Sequence, residues 1–219
     1  MGESDSVTAD SRTSAAGSVV LGNVYNKYES RNPIARWLLQ GYLRHLAGLC
    51  ERLAPASVLE VGCGEGYLTR TLGEWWPQAR IVGIDLSAEL FDPSQGATGR
   101  TRFLAQSAYE LGFAPARFDL VVGAEVLEHL DDPERALDEI ARVARGHVIL
   151  SVPREPLWRV LNMVRFSYLG DWGNTPGHLQ HWSASAFLEL VASRFEILEV
   201  RAPLPWTMVL AKKKAARGE

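Results

Sequence analysis

Cysteine is nearly absent. Cys50 and Cys63 are the only two in 219 residues, too few for a disulfide framework, so a reducing, cytoplasmic setting is the expectation. Apolar runs long enough to span a bilayer are missing as well, and stable membrane insertion is not expected. The opening MGESDSVTADSRTSAAGS has neither the basic start nor the apolar core of a secretory signal. It reads as a disordered tail over residues 1–20, and the match of Gly2 and Ser6 to a myristoylation pattern is the kind that short patterns produce by chance. Basic charge is not in excess: 23 Lys and Arg stand against 26 Asp and Glu, for a net charge of −3. Nothing global therefore draws the chain to nucleic acid, although local basic patches and peripheral membrane contact stay open.

What is present is ordinary globular composition, 47% hydrophobic and 22% charged, enough for one core and one domain over residues 21–212, with a solvated tail at 213–219. Residues 24–54 carry helical apolar spacing, with Leu38, Tyr42, Leu46 and Leu49 in step and Pro55 ending the run. Short Val, Ile and Leu-rich segments then alternate with helical ones: SVLEV, RIVGID, TRFLA, FDLVVGA, HVILSV, FEILEV and TMVLAKK. This alternation predicts an α/β three-layer sandwich around a seven-stranded, mostly parallel sheet. RAPLPW, between the last two segments, is too short for a helical crossover, so the last strand is predicted antiparallel. The stretch from Asp132 to Arg145 reads as a helix capped by Asp132, with Pro133 in its first turn and Leu137, Ile140, Ala141 and Ala144 on one face. Its charges read as a solvated face without function.

The chemistry begins where Val58 to Val61 runs into Gly62-Cys63-Gly64-Glu65-Gly66 and then a helix from Tyr67 to Trp75. Glycines let the backbone turn sharply and approach a ligand, and the helix presents unpaired N–H groups. The spacing is wrong for a dinucleotide: the third glycine of G-x-G-x-x-G falls one position early, with Tyr67 in its place, and no Walker lysine follows. Asp85 closes the second strand.

These residues resemble the class I S-adenosylmethionine-dependent methyltransferase family, in its small-molecule, type 11-like branch, over roughly Ala54 to Val152. The first motif is Val58-Leu-Glu-Val-Gly-Cys-Gly-Glu-Gly66, the second ends in Asp85, and FDLVVGAEVLEHLDDPERAL resembles the fourth-strand motif. The resemblance implies S-adenosylmethionine as cofactor, with Glu60 orienting its methionine amino group, Gly62, Cys63, Gly64 and Gly66 forming the loop, and Asp85 on the ribose. Leu86 would pack on the adenine and Ala124 would lie near the methionine end. The family usually offers an aspartate to the adenine after the third strand, whereas this chain has Gln106, Ser107 and Ala108, with Ser107 or Gln106 as neutral substitutes. Tyr25 and Tyr28, ahead of the first helix, are lid candidates.

Methyl transfer to a hydroxyl requires alignment and removal of its proton. Glu125, Glu128 and His129 follow the fourth strand and would share a face if their segment were helical. They can serve as base and orienter, or as metal ligands. E-x-x-E-H with a downstream histidine, here His178 or His181, looks like the Mg²⁺ site of small-RNA 3′-terminal 2′-O-methyltransferases, and similar sequences occur in ubiquinone-type O-methyltransferases. An acceptor-side insertion is read at residues 153–182, with Trp158, Phe166, Tyr168, Trp172 and Trp182 suited to a planar or apolar acceptor and Arg154, Arg159 and Arg165 to an acidic one. The leading expectation is methylation of a small molecule, at oxygen, in a biosynthetic pathway. Metal-assisted transfer to a quinone-like lipid or an RNA terminus is the second reading, the lipid version helped by the amphipathic Leu157 to Phe166. A non-catalytic cofactor-binding protein on the same fold is the third. Oligomeric state is not legible.

Overall fold

The computed structural model describes residues 32–86, 99–164, 172, 175 and 177–214. Among them, seven strands form one sheet: β1 (Ser57–Val61), β2 (Arg80–Asp85), β3 (Thr101–Ala105), β4 (Phe118–Ala124), β5 (Ala144–Pro153), β6 (Phe195–Arg201) and β7 (Trp206–Lys213), in the order β3-β2-β1-β4-β5-β7-β6. All neighbours are parallel except β7, which runs antiparallel to both β5 and β6. This is the α/β arrangement that the sequence predicts, down to the antiparallel last strand.

The helices are α1 (Pro33–Cys50), α2 (Tyr67–Trp75), α3 (Pro133–Val143), α4 (Leu157–Val164) and α5 (Ala184–Ala192). Strand residues alternate between two apolar layers. Val58, Ile81, Leu120, Val122 and Ile149 pack with Leu38, Tyr42, Leu46 and Leu49 of α1 and Leu68 and Leu72 of α2. Leu59, Val61, Ile84, Val121, Val148 and Leu150 pack with α3 and α5. Every residue of β1 is buried, as a strand covered by helices on both faces requires.

Local chemistry sets the ends. Asn32 caps α1, accepting from Ile34 N–H at 2.9 Å, and Pro33 fits the first turn. The helix stops at Cys50, short of Pro55. Asp132 caps α3 as predicted, accepting from Arg135 N–H at 3.1 Å. That helix ends earlier than the sequence suggests, because Ala144 already begins β5 and pairs with Phe118. Its charges also do more than face solvent. Glu139 pairs with Arg142 at 2.7 Å; Arg142 donates to the carbonyls of Leu111 and Phe113, each at 2.6 Å, while Glu139 accepts from Leu111 N–H. The pair clamps the β3–β4 connection, which otherwise has no regular structure to hold it.

Candidate functional site

The glycine turn joins β1 to α2 at the edge where the parallel strands end. Gly62, Gly64 and Gly66 all have positive φ, at 72°, 51° and 79°, the left-handed region that glycine enters without cost. A side chain would also have no room: a Cβ on Gly62 would lie 2.5 Å from Val126 Cγ2, and one on Gly66 2.4 Å from the Phe103 ring.

Asp85 organises this turn. Its Oδ2 accepts from Gly64 N–H at 2.8 Å and its Oδ1 from Leu86 N–H at 2.8 Å. A carboxylate has about four acceptor sites, so holding the turn is compatible with accepting from a ribose diol. Glu60, only 2% exposed, lies beneath the turn and accepts from the Thr69 hydroxyl. That bond sets its carboxylate against the first turn of α2. The side chain of Cys63 turns inward against Phe103, and its N–H donates to Ile84 carbonyl, so the thiol is a packing group and only its backbone borders the turn. Burial, then the nearby Glu60 and Asp85 charges, push that thiol well above its usual range.

Leu86 is half exposed beside Asp85. Gln106 and Ser107 follow β3. Gln106 N–H donates to Asp85 carbonyl, its Oε1 accepts from Gly112 N–H at 3.1 Å, and Ser107 Oγ accepts from Tyr109 N–H at 3.2 Å. Ala108 packs partly against the core. Ala124 ends β4, two strands from Asp85. Tyr25, Tyr28, Arg165, Phe166 and Tyr168 lie outside the described residues.

After β4 the structure departs from the helical expectation. Glu125 has a φ of 57° and its N–H donates to Ser151 carbonyl, so the chain turns sharply before a short 3-10 turn, Leu127–His129. Glu125 consequently does not share a helical face with Glu128 and His129. A different partner joins them. Leu179 and Gln180 both donate their N–H groups to Glu128 carbonyl, at 2.8 and 3.0 Å, which pins the loop carrying His178. His129 and His178 then meet edge to face, 5.0 Å between centroids, and ligand atoms of Glu128, His129 and His178 lie within 4.8 Å of one another. His129 Nδ1 is 2.9 Å from Gly177 carbonyl. A carbonyl can only accept, so Nδ1 carries the proton, and in the neutral ring Nε2 is the basic nitrogen. His181 sits elsewhere, 3.6 Å from Glu155. Arg159 also pairs with Glu155, at 3.6 Å.

A run of rings leads away from His178. Trp158 stacks on it at 5.9 Å, Trp206 lies 5.8 Å from Trp158, and Tyr42 meets Trp206 edge-on at 5.1 Å. Tyr42 also shares a 2.7 Å hydrogen bond with Ser151. The sequence singles out Trp158 for the site and Tyr42 only as an apolar position of the first helix, and it passes over Trp206 and Thr69. The available signal is topological: β7 is antiparallel, so its first residue, Trp206, lies at the edge where the other strands end. Trp182 instead packs on Phe187 within the α3–α5 layer.

The comparisons with known proteins agree with this fold. A family model described as a methyltransferase domain matches residues 34–198. The chain is 36% identical over 112 residues to a trans-aconitate 2-methyltransferase of Azoarcus sp., covering 48% of this chain and 44% of that protein. It is 30% identical over 95 residues to a malonyl-[acyl-carrier protein] O-methyltransferase of Legionella pneumophila, covering 42% and 34% respectively. Matches to the first four curated relatives span 29% to 55% of their lengths. Among solved structures, magnesium protoporphyrin IX methyltransferase from Synechocystis with bound SAH shares the fold at a TM-score of 0.62 and 17% identity, covering 84% of this chain and 89% of that one.

Proposed function

We propose, from the fact that this chain belongs to the class I S-adenosylmethionine-dependent methyltransferase family, that it transfers the cofactor's methyl group to an oxygen of a small-molecule acceptor. The observation that carries the reading is Asp85, hydrogen-bonded to Gly64 of the glycine turn and at the same sheet edge as His129. The residues fit the cofactor: three left-handed glycines let the backbone turn sharply at the ends of the strands, and the Asp85 carboxylate beside them can accept from a ribose diol. Bound S-adenosylmethionine supplies an electrophilic methyl on a sulfonium sulfur.

The remaining work falls to the chain. Asp85 holds the ribose, and Gly62, Cys63, Gly64 and Gly66 line the cofactor with backbone. Leu86, Gln106, Ser107 and Ala108 surround the adenine, while Ala124 borders the methionine end. Glu60, which also accepts from Thr69, orients the methionine amino group. His129, its ring fixed by Gly177 carbonyl, takes the acceptor's hydroxyl proton at Nε2. Trp158, beside His178 and backed by the buried Trp206, offers a planar acceptor an aromatic face. The relative named as an O-methyltransferase supports an oxygen acceptor. With hydroxyl acceptors screened for cofactor-dependent methylation, His129→Ala should lower turnover by about 10²–10⁴-fold and leave S-adenosylhomocysteine affinity nearly unchanged. Full turnover in His129→Ala would remove it as the base.

One observation favours a second reading, in which a divalent metal such as Mg²⁺ assists. Glu128, His129 and His178 form a compact donor set, and a ligating histidine that donates its other N–H to a carbonyl is the usual arrangement. Here the residues would hold the ion and an acceptor oxygen near the methyl group. Glu125 and His181 stand outside that set. Chelator-sensitive turnover, with comparable losses in Glu128→Ala, His129→Ala and His178→Ala, would support it; indifference to chelator would exclude it.

A further inference from the structure

We propose that the half of the active-site rim formed by α1, α4, the loop before α5 and the β6–β7 turn docks onto an anionic lipid bilayer. The inference rests on the methyltransferase reading and narrows it, since an enzyme seated this way draws an amphiphilic acceptor from the membrane.

It starts from where apolar side chains are exposed. Tyr42 of α1 is level with Ser151 near the end of β5 and with Trp206 at the start of β7. The nine residues before it, Pro33 to Gly41, begin α1 and span about 13 Å along its axis at 1.5 Å per residue. They carry Ile34 and Trp37, 58% and 64% exposed. Val160, on the helix that follows β5, Leu179, in the loop pinned to Glu128, and Leu204, between β6 and β7, are exposed at the same edge. Trp172, in the acceptor-side segment, is exposed too. Among the described residues, no large exposed hydrophobic lies at the opposite edge, where the parallel strands begin.

Charge points the same way. Residues 33–41, 157–164, 177–182 and 201–206 contain Arg36, Arg159 and Arg201 and no aspartate or glutamate, although about one residue in eight of the whole chain is acidic. Glu155 and Glu199 pair with Arg159 and Arg201 and Glu128 lies against His178, so Arg36 is the cation that these segments offer an anionic surface. Exposed tryptophan and aliphatic side chains bordered by arginine are what an anionic lipid interface recognises, and their clustering on one rim marks an interaction surface. Among the described residues, no helix is long and apolar enough to cross a membrane, so the contact is peripheral.

The test is flotation of the full 219-residue protein with vesicles of phosphatidylcholine alone or mixed with phosphatidylglycerol. The wild type should float with the mixed vesicles and much less with the neutral ones. Trp37→Glu combined with Val160→Glu should weaken binding roughly tenfold or more, and Arg36→Glu should weaken binding to the mixed vesicles alone. Calorimetry with S-adenosylhomocysteine on each variant reports that it is folded. Three results would overturn the proposal: no flotation at low ionic strength, unchanged flotation in the double variant, or a dimer that Trp37→Glu converts to monomer. Failure of the wild type to bind S-adenosylhomocysteine would count against the methyltransferase reading, while vesicle binding is scored separately.

Discussion

At Gly62 and Gly66 the missing side chain is itself the functional feature. Each would gain a methyl group in space held by Val126 or Phe103, in a left-handed conformation that disfavours it. Gly62→Ala and Gly66→Ala should each destabilise the fold by about 1–3 kcal/mol and weaken S-adenosylhomocysteine binding, read by thermal unfolding and calorimetry. Gly41 is the internal control. It lies within α1 with open space where a methyl group would sit, so Gly41→Ala should stabilise by about 0.5–1 kcal/mol. The thiols give a further check at this scale. Burial pushes Cys50 up to about 12 and Cys63 higher still, so neither should react appreciably with iodoacetamide at pH 8 until the protein unfolds. Rapid native-state alkylation of Cys63 would contradict its placement against Phe103.

Among the elements, α3 is the one whose cap can be tested cleanly. Asp132→Ala removes the acceptor for Arg135 N–H and should cost about 1 kcal/mol, measured in urea. The strands and α2 are legible in the sequence because apolar runs, alternation and glycines are local signals. The Glu139–Arg142 clamp is not, since its partners, the carbonyls of Leu111 and Phe113, are backbone groups that carry no residue-type signature. The turn after β4 is missed for a related reason: Glu125, Glu128 and His129 have helical spacing, but the Glu125 N–H is claimed by Ser151 carbonyl of β5. At α4, burial and then Arg159 hold the His181 imidazole below its usual 6.5, with Glu155 pulling the other way. The unfolded chain therefore binds a proton there before the folded one does. Stability should fall as pH drops below about 6.5 and be unaffected by this group above it, and His181→Gln should flatten that part of the profile in urea titrations.

On the scale of the whole molecule, the parallel order of β2, β1 and β4 brings three motifs far apart in sequence to one edge of the sheet. Asp85, the glycine turn and His129 are each readable as candidates from residue type and position. Their mutual arrangement depends on strand order, which the resemblance to a known family supplies and the β pairing displays. The histidine partner shows where reading stops, because spacing leaves His178 and His181 equivalent, whereas backbone bonds from Leu179 and Gln180 to Glu128 select His178. The account's central claim, that this edge holds S-adenosylmethionine through Asp85 and the glycine turn, is tested most directly by titrating S-adenosylhomocysteine into the wild type and Asp85→Ala in a calorimeter. The wild type should bind at one site, and Asp85→Ala, folded by circular dichroism, should lose about 1–3 kcal/mol, or roughly 5- to 150-fold in affinity. No binding to the wild type, or equal affinity in the variant, would contradict it.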